Sequence, residues 1–136
     1  MTVREEIAIV IACCGGDVLV QQRPATDPDL AGLWEFPGGH VLAEERPESG
    51  AAREFVEETG LVAPPLEWFH SCEFDYSTGE RPRHLRMTFY LANIAPPPPV
   101  ATTGNWSWQP LATLVEGTVP PANAHVIGML RRREPQ

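Results

Sequence analysis

Long apolar runs are missing from this 136-residue chain. No stretch reaches the roughly 18 apolar residues needed to span a bilayer, so no membrane partner is expected. Arg4, Glu5 and Glu6 precede the first apolar run, the wrong order of charge for a signal peptide, and a cytoplasmic location is expected. Positive charge is also scarce. Ten basic residues stand against 18 acidic ones, a formal charge of −8, which would repel a nucleic-acid polymer. A single nucleotide is compatible with that charge, because metal ions and a few arginines can hold its phosphates. Cysteine is limited to Cys13, Cys14 and Cys72, an odd count without metal-ligand spacing. The adjacent pair would point to opposite faces of a strand, and reduced, buried thiols are expected. His40, His70, His84 and His125 are scattered and form no ligand pair. No internal repeat is present.

What the chain does contain fits one domain over residues 1–136, with the composition of an ordinary globular protein. The continuous apolar run Ile7 to Cys14 suits a buried strand. A turn at Gly15-Gly16-Asp17 leads to a second strand, Val18 to Gln22, in a hairpin. Leu33 to Phe36 reads as a short strand, Pro47 to Thr59 as a helix, and Leu66 to Phe74 and Leu85 to Ile94 as further strands. Ser77 to Glu80 is rich in turn residues. Pro96 to Pro99 should be an extended polyproline II connector. Trp106 to Trp108 reads as a last short strand and Ala122 to Arg133 as a C-terminal helix. In that helix Arg131, Arg132 and Arg133 would complement the dipole. Mixed strands with one early and one late helix predict an α/β sandwich.

The segment Gly39 to Leu61, GHVLAEERPESGAAREFVEETGL, carries the chemistry. Successive helix residues are about 100° apart in projection, so Glu54, Glu57 and Glu58 share one arc. Ala52, Phe55, Val56 and Thr59 occupy the opposite one. Like charges at i,i+3 and i,i+4 cost a few tenths of a kcal/mol per pair. A hard divalent cation such as Mg²⁺ or Mn²⁺ would convert that cost into attraction. Three glutamates alone can equally be a solvated helix face. The flanks add weight to the metal reading. Pro47 suits the first turn and Gly60 the position that ends a helix. Pro37, Gly38 and Gly39 read as a tight loop whose bare backbone can approach a ligand.

Gly39, Glu45 and the run Arg53-Glu54-Phe55-x-Glu57-Glu58-x-Gly60-Leu61 resemble the Nudix box. Every fixed polar and glycine position of its 23 residues is present; Phe55 stands where an aliphatic residue is usual. The resemblance implies a mixed β-sheet sandwiched between helices and a Mg²⁺-dependent hydrolase, with Mn²⁺ as a substitute. It implies metal ligation by Glu54, Glu57, Glu58 and the Gly38 carbonyl. Arg53 would orient the glutamates, and Glu45 would anchor the loop or assist a metal through water. Monomer and homodimer are both compatible.

Outside the box, Leu33 to Gly39 and Val18 to Arg23 resemble segments of MutT-type nucleoside triphosphate pyrophosphohydrolases. Pro120-Pro121-Ala122-Asn123, followed by Val126-Ile127, resembles the MutT segment whose asparagine reads oxidised guanine. That resemblance implies a nucleoside triphosphate substrate such as 8-oxo-dGTP, cleaved at the β-phosphorus to a monophosphate and pyrophosphate. Arg23, Phe36, Arg83 and Asn123 would line the nucleotide pocket. An amide can separate 8-oxoguanine, with its N7–H donor, from guanine, whose N7 accepts. Asn123 can alternatively be the N-cap of the last helix. Two departures stand out. Asn105 occupies a position where MutT has an acid, and Glu44 replaces a glycine and can ionise. Related enzymes sharing the Trp-Glu-Phe-x-Gly-Gly run act on CTP. A Nudix-fold regulatory module without turnover is a further alternative.

Overall fold

The computed structural model describes residues 3–26, 31–76, 82–99, 104–114 and 118–133. Its elements run β1 (Val3–Cys14), β2 (Asp17–Gln22), β3 (Trp34–Glu35), β4 (Gly38–His40), α1 (Pro47–Thr59), β5 (Glu67–Tyr76), β6 (Arg83–Asn93), β7 (Ser107–Pro110) and α2 (Pro121–Arg133). A 3₁₀ turn, Leu111–Thr113, lies between β7 and α2. The sheet follows the order β3-β2-β1-β6-β5, with β4 paired to β1 and β7 to β2. β1 and β6 run parallel, and the other pairs are antiparallel.

β1 organises this arrangement because it is covered on both faces, which is why it reads as an unbroken apolar run. Ala8, Val10 and Ala12 pack with Leu19, Ala51 and Phe55 beneath α1. Ile9 and Ile11 pack on the opposite face with Phe89, Leu91 and the α2 residues Ala122, Val126, Ile127 and Leu130. The expected α/β sandwich is therefore present, one helix to each face.

α1 begins on Pro47 and stops at Gly60, whose φ of 77° is left-handed and whose N–H bonds to the Val56 carbonyl. Its buried side does not follow the expected arc. Val56 is 45% exposed, while Gly50, Ala51, Phe55 and Thr59 are buried. The apolar stripe is thus rotated toward Glu54 and Glu58, so these carboxylates flank the sheet contact.

Other expectations change in detail. Gly38 and Gly39 form no loop but belong to β4, where Gly38 pairs with Ile9 and Gly39 with Ala8. The third strand shrinks to Trp34–Glu35, and the last shifts to Ser107–Pro110. The Pro96–Pro97 bond is cis, against the uniformly extended run expected. The turn expected at Ser77 to Glu80 lies outside the described residues. Arg131 donates to the Leu111 and Ala112 carbonyls, tying α2 to the 3₁₀ turn. Cys13, Cys14 and Cys72 form no disulfide; Cys14 is buried as expected, whereas Cys13 and Cys72 are half-buried.

Phe55 is fully buried. Phe55→Ala should cost about 3–5 kcal/mol through lost transfer energy and a residual cavity, read as a lower urea midpoint at unchanged slope.

Candidate active site

Close approach of α1 to β4 builds the site. A Cβ on Gly39 would stand 2.5 Å from the Glu54 carboxyl carbon, and one on Gly38 would stand 2.6 Å from the Ala8 carbonyl oxygen. Only bare backbone fits at either position. At Gly39 that space is taken by the Glu54 carboxylate and at Gly38 by β1, while Glu58 Oε1 accepts the Gly38 N–H at 2.8 Å.

Arg53 gathers the surrounding charge. Its Nε donates to Glu45 Oε2 at 2.9 Å and its Nη2 to Glu45 Oε1 at 3.1 Å. Its Nη1 donates to Glu54 at 3.0 Å and to Glu57 at 3.3 Å. Nη2 also reaches the His40 carbonyl at 3.1 Å. Glu45 in turn accepts the Leu42 N–H at 3.0 Å, closing the turn ahead of α1. Arg53 and the Leu42 N–H hold the Glu45 carboxyl below its ordinary pKa. The guanidinium is held still more firmly protonated, first by Glu45 and then by Glu54 and Glu57.

Glu58 is shifted the other way. Burial, reinforced by the fields of Glu54, Glu35 and Glu57, pushes its carboxyl up to about 7 despite the Gly38 hydrogen bond. Among the described residues, no three His, Cys, Asp or Glu side chains converge as a ready-made metal cluster. The reason is visible in the bonds: Arg53 holds Glu54 and Glu57, while Gly38 holds Glu58. The donor set nevertheless fits a hard divalent cation, since it is all carboxylate oxygen and carries repulsion that a cation would relieve.

Two further site residues are placed differently from expectation. Glu44 is exposed, and among the described residues no hydrogen bond or ion pair joins it to the box. Asn105 is exposed at the rim of a 470 Å³ cleft also lined by Gln22, Arg23, Trp34 and Ser107. Its neighbour Trp106 hooks the rim to α1 by donating to the Glu58 carbonyl at 3.1 Å.

The carboxylate that sequence reasoning missed is Glu35. It accepts from Arg23 Nη1 at 2.6 Å and from Gln21 at 3.1 Å, and its charge acts on Glu58. The signal was an acid between two aromatics in a strand, Trp34-Glu35-Phe36. Alternation sends Trp34 and Phe36 to the α2 core and the acid to the other face.

The remaining pocket candidates lie on the α2 side. Phe36 is 5% exposed in that core. Asn123 is 4% exposed, and no donor among the described residues reaches its Oδ1. It is not the helix cap: the N–H groups of Asn123 and Ala124 both bond to the Pro120 carbonyl, placing Asn123 inside the first turn. Arg83 sits at the start of β6, paired with Glu5. Nor are all the histidines scattered. The His70 and His125 rings lie with centroids 5.2 Å apart, joining β5 to α2.

An acidic box helix packed on glycine strand, over a mixed sheet between two helices, defines a class that comparison with known proteins identifies. The family model "NUDIX domain" matches residues 3–130, and the chain belongs to the Nudix family. It is a MutT-like Nudix hydrolase of the pyrophosphohydrolase kind, in a family that works with divalent metal ions. It is 30% identical over 128 residues to an 8-oxo-dGTP diphosphatase of Escherichia coli, covering 93% of this chain and 96% of that protein. A Haemophilus influenzae 8-oxo-dGTP diphosphatase is 36% identical over 116 residues, covering 85% and 82%. The crystal structure of a MutT protein from Methanosarcina mazei superposes with a TM-score of 0.76 at 21% identity, covering 99% and 98%. That last likeness concerns the fold alone. Among the described residues, no helix is long and apolar enough to cross a membrane.

Two outcomes follow from this geometry. Gly39→Ala should displace the Glu54 carboxylate and weaken Mg²⁺ binding at least tenfold by calorimetry, the scale of losing a positioned ligand; unchanged affinity would remove Glu54 from the metal site. The second concerns pH. Burial, aided by His125, lowers the His70 pKa, so folding favours its neutral form. This contribution is complete above the ordinary pKa of 6.5 and is lost as pH falls through the lower folded value. His84, raised by Glu73 and Asp75, has the opposite sign. The melting temperature of wild type relative to His70→Gln should therefore fall between pH 7 and 5, and a constant difference would refute the assignment.

Proposed function

We propose that this chain, working as one domain, is a Mg²⁺-dependent hydrolase of oxidised purine nucleoside triphosphates such as 8-oxo-dGTP, releasing monophosphate and pyrophosphate. The observation that carries the substrate is the buried Asn123 Oδ1 without a donor. An unsatisfied buried acceptor costs about 1–3 kcal/mol, which a ligand N–H would relieve. The N7–H of 8-oxoguanine is such a donor, whereas N7 of guanine would oppose acceptor to acceptor. The names of the two 8-oxo-dGTP diphosphatase relatives support the same substrate.

In this reading Glu54, Glu57, Glu58 and the Gly38 carbonyl hold Mg²⁺, or Mn²⁺ in its place. A bound metal would neutralise charge on the phosphoryl oxygens and lower the pKa of a water. Arg53 keeps Glu54 and Glu57 oriented through charge-assisted hydrogen bonds. Glu45 anchors Arg53 and the turn before α1. Glu35 supplies negative charge beside Glu58 that Asn105 cannot, and it also sets the direction of Arg23 at the cleft. Arg23 and Arg83 contribute positive charge toward the nucleotide, and Phe36 forms the apolar floor. The protein acts in the cytoplasm on free nucleotides, as a nucleotide-pool sanitising enzyme.

A substrate panel tests this directly. With Mg²⁺, kcat/KM for pyrophosphate release from 8-oxo-dGTP should exceed that from dGTP and CTP; a pyrimidine nucleotide leading the panel would overturn the substrate. Asn123→Ala should reduce the preference for 8-oxo-dGTP over dGTP by roughly tenfold or more while slowing dGTP hydrolysis little.

A further inference from the structure

Glu5 belongs to neither the box nor the segments that resemble MutT, yet its carboxylate joins the two sides of the site. Its Oε2 accepts from Arg83 Nε at 2.6 Å and its Oε1 from Arg83 Nη2 at 2.8 Å, a two-point fork. The same Oε1 lies 2.5 Å from His40 Nε2. Glu5 is the sheltered member, with its side chain 14% exposed against 43% for Arg83 and 61% for His40. The topology explains the meeting. β1 lies between β6, which begins at Arg83, and β4, which ends at His40. His40 directly follows Gly39, and its carbonyl accepts from Arg53, the residue that holds Glu54 and Glu57.

We propose that Glu5 is a positioning residue that couples the nucleotide-side Arg83 to the metal-side strand β4 through one carboxylate. A guanidinium gripped at two nitrogens keeps one orientation, so Arg83 meets the nucleotide in a set direction. The grip on His40 steadies the end of the strand whose Gly38 and Gly39 receive Glu58 and Glu54. Arg83 and the box carboxylate Glu57 are thereby joined by a continuous set of contacts through Glu5, His40 and Arg53. The carboxylate is ionised throughout the working pH range, since Arg83 first and His40 second hold it at about 2. This inference rests on the reading of Arg83 as a nucleotide-binding residue, but it does not depend on which nucleotide is the substrate.

The test measures two parameters: KM for the best substrate of the panel, and the Mg²⁺ dissociation constant by calorimetry without nucleotide. Arg83→Ala should raise the first and His40→Ala the second. Glu5→Gln, which keeps the shape but loses the charge, should raise both by about five- to tenfold, the scale of one lost hydrogen bond. In the Glu5→Gln background, adding Arg83→Ala or His40→Ala should then change the matching parameter less than twofold. Glu73→Gln, which breaks the surface pair with His84, is the control for a mere loss of stability and should move neither parameter. If Glu5→Gln moves only one parameter or neither, or if the effects simply multiply, the coupling is overturned. Should Glu5→Gln fail to fold, Glu5→Asp keeps the charge one methylene short; both parameters should still rise, and wild-type values in both would overturn the proposal. A panel with no hydrolysed nucleotide would instead defeat the proposed function, so the two failures are distinguishable.

Discussion

The approach of α1 to the sheet is the constraint on which the site depends. Gly39 has no side chain, so the Glu54 carboxylate sits where its Cβ would stand, while bare Gly38 packs on β1 and gives its N–H to Glu58. The fit has two requirements. Phe55 and Ala51 must anchor the helix on Ala8, Val10 and Ala12 of β1, and β4 must pair with the same stretch of β1. One central strand thus carries both the floor under the helix and the strand facing its acids. A shift of either would separate the carboxylates from the glycine backbone.

Concentrating acid in this way costs free energy, and the structure offsets it unevenly. Arg53 compensates Glu45, Glu54 and Glu57, whereas Glu58, which accepts the Gly38 N–H, is pushed toward its protonated form by burial. Glu35 adds to that push while being held by Arg23 and Gln21. A cluster of carboxylate oxygens, one of them raised in pKa by burial, is suited to a hard cation, whose charge would replace part of the work of Arg53. The arginines at Arg23 and Arg83 are each tethered by one acid, Glu35 and Glu5. Their directions are therefore set before any ligand arrives.

The box carboxylates and the residues proposed to read the base fall on opposite sides of the sheet. The acidic helix covers one face, while Phe36 and Asn123 belong to the α2 face. Alternation along Trp34-Glu35-Phe36 joins the two, because neighbouring residues serve different faces. The His70–His125 contact holds the base-side helix to β5, close in sequence to Asn123. A nucleotide running from one face to the other around this edge would feel both.

Much was readable from the chain alone because it depends on local patterns. The residues 47–59 helix, its proline start and its glycine stop follow from short-range sterics and hydrogen bonding, and they appear at the expected positions. The buried character of β1 follows from its unbroken apolar run. The spacing of Glu54, Glu57 and Glu58 marked an acidic helix, and the surrounding box marked the family. What the chain alone could not reveal is which side of each element meets which neighbour. The burial stripe turned away from Val56, the glycine loop became a strand, the cap alternative for Asn123 gave way to a buried position inside the first turn, and Glu35 and Glu5 paired with Arg23 and Arg83. Each of these depends on contacts between residues far apart in sequence, Glu5 and Arg83 lying 78 positions apart. Pairing register and packing decide such contacts, and local sequence patterns carry no record of them.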